Sequence, residues 1–333
     1  MSNPAKPKIA FYWCASCGGC EEAVVDLAEE ILGVLEAVEI VLWPCAMDFK
    51  KTDLEGLPDR SLNATFLNGA IRTEEQAEMA HLLRRKSQLL VAYGACAQLG
   101  GIPGLANQFM REEILRYVYE DAPTVINQDR ARPQSRFTEN GYSLCLPQLH
   151  QVVRALDQVV PVDYYLPGCP PTPKLTQAAI GALLAGTLPP KGTVLAPDMA
   201  LCEQCPRKAT KPADPRFAEF HRPHSLNLDP EKCFLAQGVI CLGAATRGGC
   251  EAACVNGNMP CTGCFGPTSR VRDQGAKALS ALCANLAGKE EPAIAQTLAG
   301  VPDPIGMFYR YGLAKSLLRS NVSSPNDPKR SYV

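Results

Sequence analysis

The sequence predicts an α/β fold: a doubly wound parallel sheet over residues 1–188, followed by a smaller, irregular domain over residues 189–333. Two observations carry this reading. From Lys8 to Gly186 short apolar runs alternate with amphipathic stretches, the rhythm of successive βαβ units. From about Leu188 that rhythm stops: Pro189-Pro-Lys-Gly192 reads as a linker, and behind it Pro, Gly and polar residues separate eight cysteines between Cys202 and Cys264. Strand alternation is scarce there, so order in the second part is expected to come from bound metal more than from apolar burial. Length agrees, since 333 residues suggest about two domains at roughly 150 residues each.

Taken in order, Lys8-Ile-Ala-Phe-Tyr-Trp13 is rich in strand formers and reads as the first strand. Glu21 to Leu32 follows as one amphipathic helix. Val38–Trp43 and Ala64–Leu67 are further strands. Thr73-Glu-Glu-Gln76 is a capping box that opens a helix running to about Lys86. Leu89–Tyr93 and Val162–Leu166 are the next strands, and Thr172 caps a helix with Pro173 at its first position and Gly186 at its end. Such units build a flavodoxin-like sheet with helices on both faces. No G-x-G-x-x-G opens a helix after a strand, which weakens a dinucleotide-binding reading. Glu290–Val333 is a Pro-rich tail with an amphipathic patch from Phe308 to Leu318.

Thirty-three basic residues against 34 acidic ones leave a net charge of -1, without the broad positive field that nucleic-acid binding needs. The start, Met-Ser-Asn-Pro-Ala-Lys-Pro-Lys8, has no export signal, and apolar stretches such as Ala178–Ala185 fall far short of the ~20 residues of a membrane span. The chain is therefore expected in the cytoplasm, where sixteen cysteines point to metal or cofactor ligands rather than disulfides. Cys14, Cys17 and Cys20 follow the first strand, Cys96 the Leu89 strand and Cys169 the Val162 strand. Ligands bind at that edge of open α/β sheets, so three loops can converge on one site. Three C-x2-C pairs, Cys17/Cys20, Cys202/Cys205 and Cys261/Cys264, each let a turn aim two thiolates at one centre. Zinc and iron–sulfur clusters both accept four thiolates, and the pairs alone leave both open. Zinc ribbons join two such knuckles across about 15–20 residues. Here Cys202/Cys205 continues through Cys233, Cys241, Cys250 and Cys254 before the next pair, and thiolate-only ligation favours clusters.

Cys17-Gly-Gly-Cys20-Glu, Gly94-Ala-Cys96-Ala-Gln-Leu-Gly-Gly101-Ile-Pro and Leu166-Pro-Gly-Cys169-Pro-Pro, in that order, resemble the proximal-cluster motifs of the small subunit of nickel–iron hydrogenases. A quinone-oxidoreductase subunit shares part of this set. Cys202-Glu-Gln-Cys205-Pro-Arg, Glu231-Lys-Cys233, Cys241-Leu-Gly-Ala-Ala-Thr-Arg and Met259-Pro-Cys261-Thr-Gly-Cys264 are similar to the cytoplasmic hydrogenases, above all the methyl-viologen-reducing type that partners heterodisulfide reductase. The resemblance covers nearly the whole chain and implies three [4Fe-4S] clusters. Cys17, Cys20, Cys96 and Cys169 match the proximal ligands, Cys202, Cys205, Cys233 and Cys241 the distal ones, and Cys250, Cys261 and Cys264 the medial ones with Cys254 as the fourth. Membrane-bound relatives place a histidine where this chain has Cys202, and lack a cysteine matching Cys254. The resemblance further implies an electron-transfer subunit with no catalytic residue of its own. Its partners would be a large subunit bearing the nickel–iron centre and an iron–sulfur acceptor such as heterodisulfide reductase. The nickel–iron centre needs C-x2-C pairs near both chain ends, and no cysteine follows Cys283. The competing readings are a quinone-oxidoreductase-type subunit with a single cluster, which the eight later cysteines oppose, and a zinc-stabilised scaffold without redox role.

Four cysteines remain. Cys45, Cys145 and Cys283 are expected as buried thiols that pack like small apolar groups, while Cys14 could shift the first pair to Cys14/Cys17. His221 and His224 are expected as solvated loop residues, and Glu21 and Glu22 as first-turn acids favoured by the helix dipole. Between Pro206 and Arg222 stand Arg207, Lys208, Lys211, Arg216 and Arg222 against Asp214 and Glu219, a local +3 beside Cys205 that would steer an acidic acceptor.

Overall fold

The computed structural model describes residues 6–318; the start of the chain and the end of the Pro-rich tail lie outside the described residues. The first half runs β1 (Lys8–Trp13), α1 (Gly19–Val25), α2 (Glu30–Ala37), β2 (Glu39–Leu42), α3 (Lys51–Gly56), β3 (Leu62–Asn68), β4 (Ile71–Thr73), α4 (Glu74–Lys86), β5 (Ser87–Tyr93) and α5 (Ala95–Leu99). It continues through α6 (Arg111–Arg116), β6 (Arg136–Glu139), β7 (Tyr142–Cys145), β8 (Leu149–Arg154), β9 (Tyr164–Leu166) and α7 (Pro173–Leu184). Five strands form one parallel sheet in the order β2-β1-β3-β5-β9, the flavodoxin-like arrangement, with its order reversing at β1 and β3.

Strand alternation sorts the core into two layers. Ile9, Phe11, Phe66, Val91 and Tyr93 face Val24 of α1 and Ile180 of α7. Ala10, Leu67, Leu90 and Ala92 face Met79, Leu82 and Leu83 of α4 on the other side. Phe66 links neighbouring strands by stacking on Phe11 at 5.2 Å and meeting Tyr93 edge-on at 6.0 Å. The capping box is present: Thr73 Oγ1 accepts from Gln76 N at 3.3 Å, and Gln76 Oε1 accepts from Thr73 N at 3.1 Å. Thr172 Oγ1 likewise accepts from Leu175 N at 3.3 Å and starts α7.

Three expectations change. The helix expected over Glu21–Leu32 is two helices, α1 and α2, broken by a turn in which Ala28 takes φ +52°; the break lets Val24 and Leu27 and then Ile31 and Val34 reach one core layer. Two antiparallel pairs, β4 with β8 and the hairpin of β6 with β7, lie outside the expected strands. The second half, with α8 (Ala253–Asn256), α9 (Gln274–Ala284), α10 (Glu291–Leu298) and α11 (Pro304–Phe308), does not depend on metal for all its order. It has an apolar core in which Phe217, Phe220, Phe308, Tyr309 and Leu313 are buried together. Beyond Leu166 the described residues add no further strand, only isolated bridges, one of which pairs Val194 with Tyr165 of β9 and so holds the linker to the sheet.

The amphipathic patch after Phe308 returns to the first half. Gly101 N donates to Tyr311 O at 2.9 Å, Gln158 Nε2 donates to Ala314 O at 3.0 Å, and Lys315 pairs with Asp157. A methyl group on Gly104 would stand only 3.3 Å from Ala314 Cβ, so the tail lies directly on the loop after Cys96.

Candidate metal centres

The first group of thiols stands beyond the carboxyl ends of β1, β5 and β9. Cys17 and Cys20 sit at the start of α1, Cys96 in α5, and Cys169 in the turn after β9. Cys20 and Cys96 are buried; Cys17 and Cys169 are exposed at the molecular surface. Burial first, then the charges of Cys96, Cys169 and Cys17, push the Cys20 thiol up. Burial and the charges of Cys169 and Cys17 push Cys96 up to about 12, against a hydrogen bond from the Ile102 backbone. The four sulfurs are thus close enough to oppose one another's ionisation, and four thiolates would require a positive centre among them. Backbone packs tightly round this space. A methyl group on Gly94 would overlap Cys20 Sγ, and one on Gly101 would overlap Cys96 Sγ; both glycines have positive φ, at 87° and 57°.

The second group joins Cys202, Cys205, Cys233 and Cys241. Burial raises Cys202, with Lys211 opposing and Cys205 and Cys233 adding to the rise. Burial pushes Cys241 up to about 11 against hydrogen bonds from the Gly243 and Cys261 backbones, with Cys202 and Cys233 as its charged neighbours. The third group joins Cys250, Cys254, Cys261 and Cys264. Burial takes Cys264 to about 12, and its charged neighbours are Cys169, Cys250 and Cys254. Cys261 is raised by burial, then by Cys241 and Cys264. Ala252 and Ala253 at the start of α8 direct backbone N–H groups at Cys250.

The groups touch in a fixed sequence. Cys264 faces Cys169 of the first group and receives a hydrogen bond from the Cys169 backbone. Cys261 N donates to Cys241 Sγ of the second group at 3.3 Å. The third group therefore lies between the other two, and the structure brings the twelve cysteines expected as ligands near one another along one continuous path. Among the described residues, no three His, Cys, Asp or Glu side chains are placed to hold a single metal ion. All-sulfur donors with N–H groups aimed at them suit a cluster, whose irons spread four ligands, better than one zinc with bonds of about 2.3 Å.

Several expectations outside these groups are corrected. Cys45, Cys145 and Cys283 are exposed rather than buried: Cys45 lies in the turn after β2, Cys145 on the outward hairpin, and Cys283 on α9. Cys14 is the buried spare thiol, pushed up to about 12 by burial and by Glu75, and no other thiol acts on it. Glu21 does stand in the first turn of α1, but inside the fold. It is 6% exposed, its carboxylate accepts from Trp43 Nε1 and Asn68 Nδ2, and burial outweighs those bonds to raise it. Glu22 is exposed.

Arg207 is not a steering charge. It is 4% exposed, its guanidinium donates to Asp229 O, Lys232 O, Val255 O and Asn258 Oδ1, and it lies 4.3 Å over the Phe234 ring. Lys208 and Arg216 are exposed but paired with Glu203 and Asp214. His224 is exposed and His221 half-buried beside Glu219. The sequence reading missed Gly94 and Gly101 as the walls of the first group, although each flanks Cys96 in the motif.

No helix among the described residues is long and apolar enough to cross a membrane. Residues 17–183 match the family described as the NADH ubiquinone oxidoreductase 20 Kd subunit. The chain is 38% identical to the F420-non-reducing hydrogenase iron-sulfur subunit of Archaeoglobus profundus, over 95% of this chain and 98% of the relative. It is 36% identical to an F420-non-reducing hydrogenase vhu subunit of Methanocaldococcus jannaschii, over 93% of this chain and 96% of the relative. A solved NAD+-reducing [NiFe]-hydrogenase in the H2-reduced state is 30% identical with a TM-score of 0.48, covering 55% of this chain and 94% of that one. With a relative 38% identical along almost its whole length, the chain belongs to the family of F420-non-reducing hydrogenase iron–sulfur subunits, small subunits of nickel–iron hydrogenases.

Proposed function

We propose that this hydrogenase subunit relays electrons between a large partner subunit, where dihydrogen is activated, and an iron–sulfur acceptor, through three [4Fe-4S] clusters. Cys17, Cys20, Cys96 and Cys169 would hold the cluster nearest the partner; Cys250, Cys254, Cys261 and Cys264 the middle one; Cys202, Cys205, Cys233 and Cys241 the outer one. Bound clusters supply one-electron storage at potentials set by burial and by hydrogen bonds to sulfur. This chain's own residues do the rest. Gly94 and Gly101 keep the backbone close to the first group, the Ile102, Gly243, Ala252 and Ala253 amides point at sulfur, and the Cys169–Cys264 and Cys241–Cys261 contacts fix the order. The observation that carries the reading is that arrangement: three sets of four thiols, linked end to end.

The first group lies in the unit of residues 1–188 and the other two in residues 189–333. We assign the working compartment to the cytoplasm, where thiols stay reduced, and the acceptor to the heterodisulfide reductase class that the sequence resemblance suggests. Anaerobic iron and sulfide analysis tests the reading: about twelve irons per chain at four per cluster. Cys17→Ser or Cys254→Ser should lower the count, and Cys45→Ser, Cys145→Ser and Cys283→Ser should leave it unchanged. A count near four, or zinc in place of iron, would overturn it.

A further inference from the structure

Arg222 and Arg310 are two of the basic side chains in the second half that have no ion pair among the described residues, Lys211 beside Cys202 being another. Both line one cleft of about 530 Å³, together with His221, His224, Leu226 and Met259, and no Asp or Glu is among its lining residues. Its floor includes Cys261, the residue whose backbone N–H donates to Cys241 Sγ, so the cleft opens beside the contact between the middle and outer groups. Arg310 is held in place, its Nε donating to Gly306 O at 3.0 Å. Arg222 is exposed, in the turn that leads to the short helical segment Pro223–Ser225.

We propose that this cleft is the docking surface for the electron acceptor, and that it receives a carboxylate-bearing segment of an acidic iron–sulfur protein. Charge complementarity supports this occupant: two guanidiniums free of internal acids form a concave positive surface that a carboxylate pair can neutralise with bidentate hydrogen bonds. A protein segment fits better than a small anion because the rim is also apolar. Met259 is 51% exposed and Leu226 36% exposed, and Met with Arg is the composition enriched at the centre of protein interfaces. The surface differs from the one the sequence suggested, because Arg207 is buried inside the fold, while Arg222, exposed like Lys211, is the member of that basic run that lines the cleft.

This inference rests on the electron-relay reading, and the test separates the two. The full chain, purified anaerobically, is titrated with an acidic plant-type [2Fe-2S] ferredoxin as probe, by calorimetry at low and high ionic strength. Arg222→Glu should weaken binding at least fivefold at low salt, Met259→Asp should weaken it comparably, and Arg222→Lys should stay within twofold of the parent. The difference should shrink as salt shortens the Debye length to about 8 Å at 0.15 M. The same samples are assayed for iron and for bleaching by dithionite. Reducible clusters with binding indifferent to both Arg222→Glu and Met259→Asp would overturn the docking surface alone. Loss of binding in those variants with no reducible cluster would support the docking surface and overturn the relay.

Discussion

Gly94→Ala is the sharpest test of how the first thiol group is built. Gly94 joins β5 to α5 with φ 87° and ψ 166°, a conformation almost confined to glycine. It is fixed from both sides: its N–H donates to Leu166 O at 2.8 Å, and its carbonyl accepts from Gln98 N at 3.0 Å. An added methyl would overlap Cys20 Sγ and stand 3.5 Å from Gly168 O and 3.6 Å from Pro171 Cδ, so only the sulfur could move. The backbone conformation costs about 1–3 kcal/mol for a residue with a Cβ. Driving Cys20 off its rotamer adds about 0.5–1.5 kcal/mol. A loss of roughly 2–4 kcal/mol is large against the usual 5–15 kcal/mol of a folded domain. The displaced sulfur should also release about four irons of twelve, the share of one cluster. Anaerobic denaturant unfolding and iron analysis measure both. Gly181→Ala in α7 is the control: no atom lies within 4 Å of the new methyl, and removing a helix glycine should stabilise by about 0.5–1 kcal/mol. A Gly94→Ala protein with full iron and unchanged stability would refute the claim that this glycine is required by the closeness of Cys20.

Two further outcomes follow from buried charges. Arg207→Ala should destabilise the second half by about 3–5 kcal/mol, because it strips the donors from three carbonyls and Asn258 and empties the space over Phe234; denaturant unfolding at low and high salt checks it, and an effect abolished by salt would contradict it. Asp163 is held below the ordinary carboxylate range although burial opposes it, because Lys191 and Arg84 donate to it along with the Leu90 backbone. Its contribution is therefore present above the unfolded value of about 3.9 and is lost as pH falls through the lower folded value, so Asp163→Asn should cost about 1.5–3 kcal/mol at pH 7 and progressively less below about pH 4 in pH-resolved unfolding.

The sequence was most informative where one local interaction decides the structure. Thr73 and Gln76, or Thr172 and Pro173, start their helices by bonds within three residues, and the strand ends that carry Cys17, Cys96 and Cys169 follow from runs of β-formers. The Asn140-Gly141 turn of the β6–β7 hairpin carried an equally local signal, both residues having positive φ, with Tyr142, Leu144 and Leu146 alternating behind it, but its strands are only four residues long and exposed throughout. What stayed hidden depends on distant partners. Phe217 and Phe308 share a core although some ninety positions apart, so no window of periodicity displays it. Arg207 looks like any surface charge in a count, and only the carbonyls of Asp229, Lys232 and Val255 reveal it as a buried fork. The cysteines could be grouped at all because their order in the chain resembles a known pattern, whereas the burial of Glu21 depends on Trp43 and Asn68, which no motif connects to it.

The tail that crosses back over the Cys96 loop reverses the order in which this molecule can be completed. A ribosome delivers Cys17, Cys20, Cys96 and Cys169 long before it delivers Tyr311 and Ala314, yet Gly101 hands its amide proton to the former and Gly104 packs against the latter. A nascent chain that has emerged only as far as Leu188 owns all four sulfurs of the first group and lacks the strap that seats one of their loops. The change of composition after residue 188 is thus no mark of autonomy: the thiols made earliest are the last to have their loop seated, after translation of the far end.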